Sequence, residues 1–267
     1  DLVRYEFGTD GTLLRAFDKE IGRPVLEGGM GNLLSLYEDR PNQWDAWDVD
    51  IFYENQLLEN ARSVSVTRLP GGAVRHGLRF ELAVGKSVIE QCVYLAAGSK
   101  RLDFRTRVDW NERHHMLRVS FPVAVCADRA SFDIQYGYVE RATHSNTSWD
   151  LAKFEAAAHR YVDLSDRDHG VALLNDCKYG HKVRGNVIDL NLLRSTSDPD
   201  PDADKGRHFF AYSLLPHAGP LIDSDVMAEA AALNAPVLVF EKRRASKGVA
   251  ACRVEGRGVS LEVVKKA

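Results

Sequence analysis

Apolar and polar residues alternate at period two through nine separate runs before the chain offers one convincing helical pattern. The runs are LVRYEF, TLLRAFD, NLLSLYED, RSVSVTRL, VRHGLRFELAV, VIEQCVYLAA, RLDFRTRVDW, MLRVSFPVAV and FDIQYGYVE. Successive side chains of a strand point to opposite faces, so each run makes a half-buried strand with one face reserved for a core. Turn signals lie between them: TDG at 9–11, PGG at 70–72, AAGSK at 96–100 and ADRAS at 127–131. Short strands at this spacing imply an all-β chain of antiparallel sheets packed face to face. One helix is expected over Ser224–Asn234, with Ser224 as N-cap, an alanine-rich body and Pro236 beyond its end. Short helical turns are expected near 150–158. No repeat of 20–50 residues is visible, and the biased segment STSDPDPDADKG at 195–206 reads as a polar loop.

At 267 residues the chain is long enough to bury roughly three quarters of its unfolded surface, so it needs no metal or disulfide to fold. Residues 1–267 are expected to form a single β-sandwich domain. The 35 basic and 38 acidic residues are interspersed, which argues against nucleic acid as a partner. No run approaches the ~18 apolar residues of a membrane helix, and the first residues read as strand, turn, strand instead of a signal peptide. Cys92, Cys126, Cys177 and Cys252 form no CxxC pair and are expected as buried, reduced thiols of a cytoplasmic protein. With no initiator methionine, an opening in mid-pattern and a strand-like end at VSLEVVKKA, the chain is expected to be part of a longer protein.

Three stretches could carry chemistry. NQWDAWDVD at 42–50 interleaves Trp44 and Trp47 with Asp45, Asp48 and Asp50. Indole faces stack on the apolar face of a pyranose while carboxylates take its hydroxyls, so this mixture suits a sugar; it equally suits a strand whose tryptophans pack a second sheet. ERATHSN, holding Glu140, Arg141, His144 and Asn146, and NDCKYG, holding Asp176 and Lys178, share donors and acceptors fit to grip hydroxyls. His114 and His115 are adjacent and would diverge on a strand, and no HxH or HExxH spacing is present, so no metal ligand is assigned. No GxSxG elbow supports a serine hydrolase, and 38 carboxylates do not single out a glycosidase dyad.

The runs DLVRYEFGTDGTLLRAFDKEIGRPVL, GNLLSLYEDRPNQWDAWDVDIFY, RHHMLRVSFPV, the long stretch from FDIQYGYVERATHSNTSWD to NLLRS, and DKGRHFFAYSLLPHAG occur in this order. Together they resemble the C-terminal β region of glycoside hydrolase family 38 α-mannosidases, most closely the cytosolic and vacuolar branch. The resemblance covers nearly the whole chain and implies an antiparallel β-supersandwich of the galactose-mutarotase type. It implies that the catalytic aspartates and the ligands of a divalent metal, usually zinc, lie in an N-terminal catalytic domain outside this sequence, so no catalytic or metal-ligating residue is assigned here. It implies that the partners are that domain and an α-mannoside oligosaccharide. On this reading YGYVERATHSN and NDCKYG form loops facing the catalytic domain. Tyr138, Glu140, Arg141, His144, Asn146, Asp176 and Lys178, with Trp47, then form a pocket rim or domain interface. Two rivals share the fold: a stand-alone carbohydrate-binding β-sandwich with Trp44 and Trp47 as platform, and a mutarotase-like epimerase using Glu140 and His144.

Overall fold

A computed structural model describes residues 2–237 and Glu255. Cys252 and the strand expected at VSLEVVKKA lie outside the described residues. The chain divides into Asp1–Pro236 and Val237–Ala267, and every strand given below belongs to the first unit. The first half supplies β1 (Val3–Phe7), β2 (Leu13–Asp18), β3 (Arg23–Pro24), β4 (Leu33–Glu38), β5 (Leu57–Asn60), β6 (Arg62–Arg68), β7 (Arg75–Val84), β8 (Ser87–Ala96) and β9 (Leu102–Trp110). The second half supplies β10 (His115–Pro122), β11 (Arg129–Ile134), β12 (Gly137–Ala142), β13 (Ala156–Ala157), β14 (Tyr161–Ser165), β15 (His169–Asn175), β16 (Gly180–Arg184), β17 (Val187–Arg194) and β18 (Gly206–Ala218). Helix α1 covers Ser148–Leu151, α2 covers Val226–Asn234, and a 3-10 helix covers Ile51–Asn55.

The strands pair antiparallel into a nine-stranded sheet ordered β12-β11-β14-β15-β18-β9-β8-β7-β6, a six-stranded sheet ordered β13-β16-β17-β10-β4-β5, and a small sheet β1-β2-β3. Alternation explains how they meet. On β9, Leu102, Phe104, Val108 and Trp110 are buried while Arg105 is exposed; on β10, Leu117, Val119 and Phe121 share the same core. Across the seam Phe104 of the larger sheet meets Phe121 of the smaller at 5.8 Å between ring centres and stacks on Tyr212 at 5.0 Å. Ring contacts of this kind add to the burial of apolar area that holds two sheets together.

One buried polar group sits inside this apolar layer. Tyr212 donates to Asn32 Oδ1 at 2.6 Å, Asn32 Nδ2 donates to Gln91 Oε1 at 2.7 Å, and Gln91 Nε2 donates to Tyr212 at 2.8 Å and Thr106 at 3.1 Å. Each partner is satisfied by another, which is what burial of polar atoms requires. Outside the larger sheet, α2 covers β14 and β15 through Val226 and Ala230 against Tyr161, Ala172 and Leu174. Strand β15 is therefore buried along its whole length.

Four details depart from the sequence reading. FDIQYGYVE is two strands, not one: β11 and β12 form a hairpin in which Ile134 pairs Gly137 and Tyr136 takes φ 62°, the left-handed geometry of a two-residue turn. NQWDAWDVD is a loop of turns, with Trp44 at φ 57°, not a strand. Cys126 and Cys177 are exposed and Cys92 half-buried, because the first two lie in connections and the third on the outward side of β8. Helix α2 begins at Val226 instead of directly after Ser224, whose hydroxyl accepts from Val226 N at 3.3 Å and donates to Leu221 O at 2.7 Å.

Candidate functional site

β4 ends, β10 begins and β17 ends at one end of the six-stranded sheet, and the connections leaving there are stitched by backbone bonds. Asp39 N donates to His114 O at 2.7 Å and His114 N donates to Ser195 O at 2.6 Å. Over this seam lies the 40–50 loop. Arg194 donates from Nε to Asp39 at 2.6 Å and from Nη2 to the carbonyls of Asp45 and Asp48 at 3.1 and 2.8 Å. Asp45 Oδ2 accepts from the amides of Ser197 and Asp198 at 2.7 and 3.2 Å, and the Ser197 hydroxyl bonds His114 Nε2 at 2.9 Å. Inside the loop, Trp44 O accepts from Trp47 N and Asp48 N at 2.7 and 2.8 Å.

The loop is thus fixed by side-chain and backbone groups of the 194–198 segment, with His114 beside Asp45, while its indoles remain in water: Trp44 is 65 % exposed and Trp47 67 %. Large aromatic faces on an immobilised backbone lose little conformational entropy when something stacks on them, which is the physical requirement of a binding platform. Of the candidate residues, Trp47 has the best-built support.

A second assembly occupies the outer face of the same sheet. Leu117, Val119 and Phe121 face the core, so Arg118 points the other way, where it is 1 % exposed. Its Nε donates to Asp189 at 2.5 Å and its Nη1 pairs with Glu155 at 2.9 Å. Tyr53, from the 3-10 helix, lays its ring 5.1 Å from the guanidinium carbon and donates its hydroxyl to Glu155 at 2.5 Å. Lys182 donates to that hydroxyl at 3.0 Å and to Glu54 at 3.3 Å, and Arg184 reaches Glu54 at 3.7 Å. Three cations face three carboxylates, so the buried charge is balanced. Burial raises the Glu155 carboxyl above its usual range even beside Arg118, and desolvation also raises Tyr53. Arg118 Nη2 is buried with no hydrogen-bond partner among the described residues. Beneath, burial holds the His181 imidazole down to about 4.

The remaining candidates do not form one cluster. Tyr138 and Glu140 lie on edge strand β12, not on a loop, and line a hollow of about 250 Å3 with Ser131, Ser165, Asp166 and Ile222 on the outer side of the nine-stranded sheet. Arg141, one residue on, turns to the opposite side against buried Phe132, 5.4 Å from its ring centre. His144 and Asn146 occupy the following loop, where Asn146 N donates to His144 Nδ1 at 3.4 Å and Asp150 lies 3.8 Å from that ring. Asp176 accepts from Ala211 N at 3.0 Å and borders a hollow of about 580 Å3 lined also by Arg105, Tyr94 and Phe209. Lys178 rests 4.7 Å from the Phe210 ring centre, and burial lowers the pKa of its ammonium. Sequence reasoning missed Arg118, Glu155, Tyr53, Lys182 and Arg194. The available signal was a lone arginine in the apolar strand MLRVSF.

Residues 1–202 match the family described as Glycosyl hydrolases family 38 C-terminal domain. The chain belongs to this family. It is 40 % identical over 273 residues to Alpha-mannosidase 2C1 of Homo sapiens, covering 100 % of this chain and 26 % of that protein. To Alpha-mannosidase of Saccharomyces cerevisiae it is 37 % identical over 227 residues, covering 82 % and 21 %. The family 38 chain thus spans about a quarter of the length of the human relative it matches. An α-mannosidase crystal structure from Enterococcus faecalis V583 shares the fold with a TM-score of 0.72 at 18 % identity, over 88 % of this chain and 30 % of that one.

Among the described residues no three His, Cys, Asp or Glu side chains converge as a metal site. His114 and His115 instead bond different partners, Ser197 and Glu112. No described helix is long and apolar enough to cross a membrane.

Proposed function

We propose that this chain is the pocket-completing β domain of a retaining exo-α-mannosidase of the cytoplasm, acting on terminal α-mannose of oligosaccharides beside a separate metal-binding catalytic domain. The observation that carries the reading is the 40–50 loop, whose tryptophans stand in solvent on a backbone held by Arg194, Asp45 and Asp39. In this role Trp47 and Trp44 stack on the apolar face of a sugar ring and orient it, and the polar groups around them take hydroxyl hydrogen bonds. Proton transfer and nucleophilic attack belong to residues outside this sequence. His144, Asn146, Asp176 and Lys178 serve the rim or the domain contact, as do Tyr138, Glu140 and Arg141.

The test is kinetic. In the longer polypeptide that contains this chain, Trp47→Ala is expected to raise KM for an aryl α-mannoside about tenfold with kcat little changed, the loss of one stacking contact worth about 1.4 kcal/mol. An unchanged KM would remove the loop from the pocket. The 267-residue chain alone is expected to show no turnover; turnover there would place the chemistry in this domain. The exposed indole pair also favours a second reading, a carbohydrate-binding module without catalysis. Mannose binding by the isolated chain, lost in Trp47→Ala, would select that one.

A further inference from the structure

The 3-10 helix Ile51–Asn55 directly continues the tryptophan loop, and Glu155 follows α1 and the His144–Asn146 loop by a few residues. These two segments are far apart in sequence, yet Tyr53 and Glu155 are joined by a hydrogen bond across 102 positions, and both close on Arg118. Apolar contact is modest here: Tyr53 meets Tyr37 edge-on at 5.6 Å and Ala156 pairs with His181 just after Glu155, while Phe52 and Leu151 nearby are 53 % and 45 % exposed.

We propose that Arg118 is a positioning residue that couples the tryptophan loop to the segment made of the His144–Asn146 loop and α1 with Trp149, fixing the two in one relative arrangement on the six-stranded sheet. The physical argument is the demand of a buried guanidinium. It sits on a central strand, with β17 and β4 on either side, so it cannot escape to water by moving with an edge. Asp189 on the neighbouring strand answers one charge-bearing edge from within the sheet. The other edge and the face must be answered from above, and Glu155 and Tyr53 are the groups that do so. Glu155 in turn is a half-buried carboxylate that loses its neutralising partner if its segment lifts away. Lys182 and Glu54 close the ring by tying the 3-10 helix to β16. Each segment is thereby retained by the charge that the other helps to neutralise. The proposal rests on the proposed function only for what the two loops are used for; the coupling exists in the chain without substrate.

The experiment measures the distance between the segments. Spin labels at Phe52→Cys and Leu151→Cys, in a chain whose four native cysteines are serine, are read by double electron–electron resonance; a second pair at Val88→Cys and Asp168→Cys reports on the nine-stranded sheet. One narrow distribution is expected for the first pair. Arg118→Met and Glu155→Gln should each at least double its width while leaving the second pair unchanged, an outcome that a uniformly loosened fold does not give. Unchanged width in both variants overturns the coupling. If Arg118→Met widens the second pair too, Tyr53→Phe decides, since it deletes a single hydroxyl: broadening of the first pair alone sustains the proposal and no broadening ends it. Because no substrate is present, loss of the coupling leaves the mannosidase reading standing, and an inactive Trp47 test leaves the coupling standing.

Discussion

The loops at 40–50 and 143–150 both lift tryptophans into solvent, and they are held by opposite means. The first is bound at long range: Arg194 and Ser197, some 150 positions away, grip its carbonyls and its Asp45 carboxylate. The second is bound mostly to itself, through Thr147 to Asp150 at 2.6 Å and Asn146 to His144, with Trp149 78 % exposed. Long-range bonds define where a loop stands in the molecule, whereas local ones define only its own shape. The second loop takes its placement from its ends: Thr143 bonds Ala127 O at 2.7 Å, Glu155 pairs with Arg118, and β13 just beyond pairs with β16.

This contrast can be broken or sharpened by measurement. The largest effect is expected where both loops share a foundation: Arg118→Met should lower unfolding free energy in urea by about 4 kcal/mol, because buried Asp189 and half-buried Glu155 would both lose their guanidinium partner. Next comes the sheet beneath. The His181 pKa lies at about 4 in the fold against an ordinary 6.5, so the group favours folding fully above pH 6.5 and that contribution is lost as pH falls through 6.5 towards 4. The loss amounts to about 3 kcal/mol, and His181→Leu should flatten that part of the acid unfolding curve.

Smaller effects separate the loops themselves. Arg194→Met should cost about 2 kcal/mol by stranding buried Asp39, and should sharpen iodide quenching of tryptophan fluorescence as the 40–50 loop loosens. Thr147→Ala, which removes only local bonds, should cost about 0.5 kcal/mol in the same urea experiment. If Thr147→Ala proves the costlier of the two, the distinction between long-range and local support fails.

Strand alternation was legible because it is a property of neighbours in sequence, and it placed β1, β2, β4 and β6 to β10 correctly to within a few residues. Its failures share one cause. WDAWDVD mimics period two by chance of composition, while its Trp44 turn and its bonds to Arg194 and Ser197 make it a loop. FDIQYGYVE kept its alternation through the Tyr136 turn, so the hairpin was hidden. Parity alone could have set Glu140 apart from Arg141, since adjacent strand positions face opposite sides. Lys178 over Phe210 and Arg118 under Tyr53 needed the third dimension.

The Asn32, Gln91 and Tyr212 triad has a kinetic meaning as well. Its members come from before β4, from β8 and from β18, and Asn32 is separated from Tyr212 by 180 positions. Sealing these amides and the phenol between the sheets must wait until the last strand has arrived, so docking of the layers is a late, high-contact-order event and refolding should be slow. Asn32→Ala should then accelerate unfolding far more than it retards refolding, making this small hydrogen-bonded triangle the latch that sets the lifetime of the folded domain.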